Sequence, residues 1–144
     1  MTVVLVDTSV LIKWFHHSGE TELVESATLR SAHLAGDVDA HIIDLAIYEV
    51  GNVLLRALGW KPNDVADQLD DLISICGAPW GMTPQWTHRA ATLAGTHRLS
   101  FYDACWAAAA DVLRVPLVSA DRKLVGTGLS ESPSDIVRRL RLRP

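Results

Sequence analysis

Two rhythms of apolar and polar positions run along this chain. Val3 to Val6 is a continuous apolar run rich in β-branched residues, the mark of a strand buried on both faces. It stops at Asp7, and Thr8 and Ser9 can cap a helix that opens over Val10 to Phe15. Gly19 to Leu34 reads as a second helix with Leu23, Ala27 and Leu34 on one side. His41 to Ile43 is a short strand candidate, and Asp44 can cap the next helix. In that helix Leu45, Tyr48, Asn52 and Leu55 recur at helical spacing. A helix after Pro62 has Val65, Leu69, Leu72 and Ile73 as its apolar face. Gly77 to Met82 reads as loop, or as a short strand and loop. Thr83 and Pro84 start a helix that runs to about Gly95.

Ser100 and Asp103 have capping-box spacing, and their helix continues through a run of alanines to about Leu113. Val115 to Ser119 is the second strongly strand-like run, with Pro116 tolerated near its start. Asp121 lies just beyond. Gly126, Gly128 and Pro133 break regularity, and a terminal helix over Ser134 to Leu142 is capped by Ser134 or Asp135. Short strands alternating with longer helices imply a parallel sheet covered on both faces. No linker or internal repeat divides residues 1–144, so one domain is expected.

Composition changes this picture little. With 49% hydrophobic and 21% charged residues, the chain has globular rather than disordered character. Its longest apolar run, Ala104 to Ala110, is too short to span a bilayer. The start lacks a basic segment and meets Asp7 and Lys13 early, so a cytoplasmic location without a membrane role is expected. Cys76 and Cys105 form no C-x-x-C pair, which suggests neither a redox motif nor a sulfur-ligated zinc.

The formal net charge of -4 argues against a broad basic face for duplex DNA. It does not exclude a nuclease that carries positive charge on a metal.

The acids supply the candidate chemistry. Ligands of open parallel sheets bind beyond the C-terminal strand ends. Asp7 and Asp121 follow strands at that edge, and Glu49 and Asp103 lie near the starts of helices that begin there. Each has a bland alternative: Asp7 as a helix cap, Asp103 as half of a capping box, Asp121 as a turn residue. Glu49 is harder to dismiss, because Ala46, Val50 and Val53 around it are apolar and an unpaired buried carboxylate is costly. Four carboxylates gathered at one edge repel one another, and a hard cation would relieve that repulsion. Oxygen-only ligation suits magnesium or manganese better than zinc.

The stretches around these acids resemble a known family. Val4-Leu-Val-Asp-Thr-Ser-Val-Leu-Ile-Lys-Trp14 is similar to the opening motif of PIN-domain ribonucleases. Tyr48-Glu-Val-Gly-Asn52, Leu99-Ser-Phe-Tyr-Asp-Ala-Cys-Trp-Ala-Ala-Ala109 and Leu117-Val-Ser-Ala-Asp-Arg-Lys-Leu124 resemble the second, third and fourth. Their order and the chain length are similar to VapC-type toxins of toxin–antitoxin pairs. The resemblance implies a three-layer α/β/α domain with a mostly parallel sheet of about five strands. It implies that Asp7, Glu49, Asp103 and Asp121 serve as catalytic and metal-binding residues, supported by Thr8, Ser9, Asn52 and Ser119. It further implies magnesium- or manganese-dependent cleavage of RNA, a homodimer or larger assembly, and a small antitoxin partner. The chain departs from many relatives after the fourth motif, where Gly128 to Ile136 holds no convincing strand.

Other features have competing readings. Ser9 is a weak candidate nucleophile, because no histidine or lysine stands in a recognisable relation to it. His16 and His17 do not share a helical face and read as rim residues. Trp14 and Trp106 suit a core or dimer interface. Trp60 and Trp80, beside Gly and Pro, suit either packing or base stacking. Arg138, Arg139, Arg141 and Arg143 could touch phosphate, or Ile136, Val137, Leu140 and Leu142 could form an amphipathic interaction segment.

A metal-dependent phosphatase would place a second acid two residues after the nucleophilic Asp, where this chain has Ser9. A phosphate-accepting signalling domain would need a late strand-end lysine, a position that Lys123 does not clearly hold. An inactive interaction domain on the same scaffold is the non-enzymatic rival.

Overall fold

The computed structural model describes residues 1–144. The order of elements is β1 (Thr2–Val6), α1 (Thr8–Leu11), α2 (Leu23–Ala35), β2 (Val38–His41), α3 (Leu45–Asn52), α4 (Pro62–Cys76), α5 (Pro84–His97), α6 (Phe101–Leu113), β3 (Leu117–Val118), α7 (Arg122–Gly126) and α8 (Pro133–Arg139). A 3₁₀ turn over Ile12–Trp14 extends α1, and a π-helical turn over Val53–Ala57 extends α3. No helix is long and apolar enough to cross a membrane.

β1 is the central strand of a parallel sheet in the order β2-β1-β3. Its register pairs Thr2 with Val38 and Leu5 with His41 on one side, and Leu5 with Leu117 and Val6 with Val118 on the other. Val4, Leu5 and Val6 are fully buried, as the unbroken apolar run requires. Helices cover the sheet in an α/β/α arrangement: α2 packs on β2 and α8, α5 on α6, and α6 on β3. Every residue from Ala104 to Ala110 is buried in α6, and small side chains there allow close approach by α5. The α5 face is Trp86, Ala90 and Leu93, spaced for one helical stripe.

The sheet has three strands, not about five. Each flank carries only a one-residue bridge, Trp80 against Ile43 and Glu131 against Val118. Trp80 donates to the Ile42 carbonyl at 2.9 Å and accepts from the Asp44 N–H at 2.8 Å. Pro79 just before it has no N–H to continue a ladder. Glu131 exchanges bonds of 2.9 and 2.8 Å with Ser119 and Leu117. Gly128 turns the chain at φ +80° before it, and Pro133 begins α8 just after it.

Three boundaries also differ from the sequence reading. β2 lies at Val38–His41 rather than at His41 to Ile43, because Asp39 and His41 occupy the open side of a half-exposed strand. β3 is limited to Leu117–Val118, although the Pro116 carbonyl still accepts from Leu5 at 2.8 Å. α8 is capped by Ser132, whose side chain accepts from the Asp135 N–H, with Pro133 in its first turn.

The C-terminal segment folds back on its own domain. Ile136 is fully buried and Val137, Leu140 and Leu142 pack against the core. Glu22 Oε2 accepts from the Ser134 N–H and hydroxyl at 2.9 and 2.7 Å. The amphipathic face that suggested an interaction segment is therefore used internally.

Candidate active site

Asp7 leaves the end of β1 and caps α1, with Oδ1 accepting from the Ser9 N–H at 3.1 Å and the Ser9 hydroxyl at 2.5 Å. Its own N–H donates to the Val118 carbonyl at 3.1 Å, which clamps it to β3. The Ser9 hydroxyl accepts from the Ala120 N–H at 2.8 Å and lies 3.4 Å from the Ser119 hydroxyl. Ser119 in turn accepts from the Asp121 N–H at 3.1 Å. These two small hydroxyls join the first and last acidic stretches beneath the site. Ser9 is thereby occupied as a positioning group.

Glu49 projects from α3, where Oε1 accepts from the Thr8 hydroxyl at 3.0 Å and from the Trp106 indole N–H at 2.8 Å. Both donors fall on the same oxygen, leaving Oε2 for an occupant of the cleft. Asp103 lies in the first turn of α6, where its N–H is capped by Ser100. Asp121 caps α7, its Oδ1 accepting from the Leu124 N–H at 2.9 Å. The capping roles of Asp7 and Asp121 are thus real and coexist with a place in the cleft.

All four acids line one cavity of about 460 Å³, together with Thr8, Ser9, Lys13, Glu20 and Trp106. Ser119 lies fully buried beneath it. Asn52 lines an adjoining groove that shares Thr8, Glu49 and Val53 with the cavity.

The acids repel in sequence around the cleft. Burial pushes the Asp7 carboxyl up from 3.8 to about 7, against hydrogen bonds from Ser119, Ser9 and Val10, and nearby Glu49 raises it further. Burial also raises Glu49, opposed by Trp106 and Thr8 and reinforced by Asp103. Asp103 is raised by burial and by Asp121, and lowered by Ser100 and Lys123. Burial and mutual repulsion thus push three of these carboxyls towards their neutral form, and a nearby positive charge would oppose that shift.

No three acidic, histidine or cysteine side chains stand close enough to grip an ion directly. The donors therefore fit a hard divalent cation by chemistry and placement, without a preformed coordination shell.

Lys13, Glu20 and Trp106 belong to the lining but do not stand out in the sequence as site residues. Lys13 is 6% exposed and donates to Glu20 at 3.0 Å and to the Thr21 carbonyl at 2.8 Å. A lysine inside the apolar run Val10 to Trp14 was the available signal, since a buried charge requires a partner. For Trp106 the signal was its position one helical turn after Asp103.

The remaining candidates have structural roles or none at this site. Trp60 meets Phe15 edge-on at 6.3 Å and Trp80 stacks on His41 at 4.1 Å, so both take part in packing. Arg139 pairs with Glu131 and Arg138 with Asp135. Neither His16 nor His17 lines the cavity.

The PIN domain family matches residues 4–128, nearly the whole chain and all four acids. The chain belongs to the PIN-domain family. This PIN domain is similar in fold to two solved structures. The crystal structure of PAE2754 from Pyrobaculum aerophilum superimposes with a TM-score of 0.70 at 23% identity, over 97% of this chain and 90% of the other. A toxin-antitoxin complex from Klebsiella pneumoniae gives a TM-score of 0.66 at 20% identity, over 90% of this chain and 97% of the other. Among curated proteins none matches the sequence.

Proposed function

We propose that this PIN domain is a divalent-metal-dependent endoribonuclease, the toxin of a toxin–antitoxin pair held inactive by a small antitoxin. The observation that carries the proposal is the convergence of Asp7, Glu49, Asp103 and Asp121 on one cleft from four separate stretches of chain. Family membership supports nuclease chemistry, and the fold likeness to a toxin-antitoxin complex supports the partner.

In this reading Asp7, Glu49, Asp103 and Asp121 would hold magnesium or manganese, directly or through water. When bound, such an ion supplies Lewis-acid activation of a phosphodiester and a water of lowered pKa. The chain's own residues prepare the site. Ser9 fixes Asp7, while Thr8 and Trp106 fix Glu49, so these two carboxylates are oriented by the fold while the side chains of Asp103 and Asp121 would close on an ion. Ser119 and Ser9 hold the Asp7 and Asp121 ends of the sheet together. The acidic walls disfavour an RNA phosphate until their charge is offset, which makes activity depend on the ion.

The non-enzymatic rival is an inactive PIN-like interaction domain on the same scaffold, which predicts no metal-dependent cleavage. A phosphatase is disfavoured, because Ser9 occupies the position two residues after Asp7 and its hydroxyl is tied to Asp7 and Ala120.

Purified protein, freed of partners, should cut total cellular RNA with magnesium or manganese and stop with chelator. Asp7→Asn and Asp103→Asn proteins that remain folded should lose the activity. Wild-type rates in both would reject the site, and no cleavage across a broad RNA panel would favour the interaction domain.

A further inference from the structure

The chain has only two tyrosines, and each directly precedes an acid of the cleft: Tyr48 before Glu49 and Tyr102 before Asp103. They come from different helices, α3 and α6, yet line the same groove of about 440 Å³. They are 72% and 63% exposed, among the most open large side chains in the protein. The groove continues into the acidic cleft through Thr8, Glu49 and Val53, which line both. A residue next to a cleft acid on a helix is turned about 100° from it, so each tyrosine flanks the acid on the groove side.

The lining selects an occupant. Apart from Glu49 the groove is uncharged, and it presents two phenol rings and the Asn52 amide. The only lysine or arginine in the cleft lining is Lys13, already paired with Glu20. Neither cavity therefore offers a free cation to the sugar-phosphate backbone. Lys123, close enough to lower the Asp103 carboxyl, is held by the Arg98 carbonyl, so within the groove the contacts open to a nucleic acid are uncharged apart from Glu49. Stacking on aromatic rings is the contact an unpaired base offers, and an amide can both donate to and accept from a base edge.

We propose that Tyr48 and Tyr102 form a stacking subsite for an unpaired RNA base next to the phosphate at the cleft, with Asn52 reading the edge of that base. This rests on the ribonuclease reading of the cleft. It makes the substrate single-stranded RNA or a loop, because a base within a duplex cannot enter the groove. It also places sequence preference at a single position beside the cut.

The test compares wild type with Tyr48→Ala/Tyr102→Ala, with Tyr48→Phe/Tyr102→Phe and with Leu34→Ala as an exposed apolar control. KM, kcat and the map of cut sites on a single-stranded RNA are measured in magnesium. Binding of a labelled RNA oligonucleotide is measured in the same buffer, and sedimentation reports self-association. The double alanine variant is expected to raise KM about tenfold or more, with kcat little changed and base preference beside the cut relaxed. The phenylalanine variant should retain wild-type KM, and Asn52→Ala should change the base preference beside the cut.

Unchanged KM, binding and cut sites in the double alanine variant would overturn the subsite while leaving the nuclease reading intact. Altered self-association with unchanged RNA affinity would also overturn it, assigning the tyrosines to a protein interface. If the wild type binds RNA without cutting it, the nuclease reading fails, yet weaker binding by the double alanine variant still supports the groove. A wild type that neither binds nor cuts RNA removes both.

Discussion

The acids of the cleft form two pairs that the fold treats differently. Asp7 and Glu49 are held by hydroxyl and indole donors, and Glu49 depends on donors far away in sequence, Thr8 and Trp106. Asp103 and Asp121 stand in the first turns or caps of helices, and their capping bonds are to residues within three positions. The inner pair carries the larger burial, with Asp7 only 4% exposed; Glu49 is held wholly by distant donors, and Asp7 adds to its local cap a backbone bond to Val118 of β3. The outer pair is fixed by local helix geometry and meets solvent more freely.

Replacing Asp7 by Asn should give the largest and most divided effect. Asn can still accept from Ser9, so the local geometry survives. Loss of a charged donor from the metal site should lower the cleavage rate about a hundredfold or more. Stability should move the other way. The folded Asp7 carboxyl titrates near 7, against 3.8 for the free side chain, so between these values the folded protein binds the proton more tightly than the unfolded chain does. Its contribution to stability is therefore greatest below about pH 4 and falls as pH rises towards 7. The difference is worth at most roughly 4 kcal/mol against the ionised form. In chelator, Asp7→Asn should unfold at higher denaturant than wild type at pH 8, and the gap should shrink at pH 5. A wild type whose stability rises between pH 5 and 8 as steeply as that of the variant would show that burial of Asp7 is relieved in some other way.

Trp106→Phe tests whether the inner pair depends on its distant donors. It removes the N–H at Glu49 Oε1 while keeping an aromatic body in α6. A hydrogen bond to a charged group contributes about 1.5–3 kcal/mol, so the variant should be less stable by an amount of that order. Thr8→Val should be milder, since a hydroxyl donor is lost nearer the surface. Cleavage should fall in both, and the double variant should lose less than the two single losses combined, because the donors share one oxygen. Full additivity in denaturation and rate would mean that the two donors act independently on Glu49.

The same contrast governs what could be read from sequence. β1 was legible because four successive apolar residues have one physical explanation. The helix at Ser100 was legible because its cap is local. All four acids were legible as a set, since each sits at a strand end or near a helix start. The flanks of the sheet were not, because a bridge of one residue at Trp80 or Glu131 leaves no periodic trace. β2 begins earlier than its pattern indicates because Asp39 and His41 interrupt the apolar positions on the open side. Ser132, rather than Ser134, caps α8, and Ser132-Pro133 followed by Asp135 carries the local signal for it. Lys13 and Trp106 were not legible as cleft residues because their roles depend on partners brought together only by the fold.

The smallest expected effect lies in the outer pair, and it separates capping from chemistry at one residue. Asp121→Asn keeps an oxygen to accept the Leu124 N–H and removes the charge. Asp121→Ala removes both. Loss of an N-cap costs typically about 1 kcal/mol, so the alanine variant should be less stable in urea by that much while the asparagine variant stays near wild type. If Asp121 helps to hold the ion, both variants should need more magnesium for half-maximal cleavage. The asparagine variant would then show the magnesium effect without the stability effect. A normal magnesium requirement in Asp121→Asn would confine Asp121 to its capping role and leave Asp7, Glu49 and Asp103 as the metal-holding set.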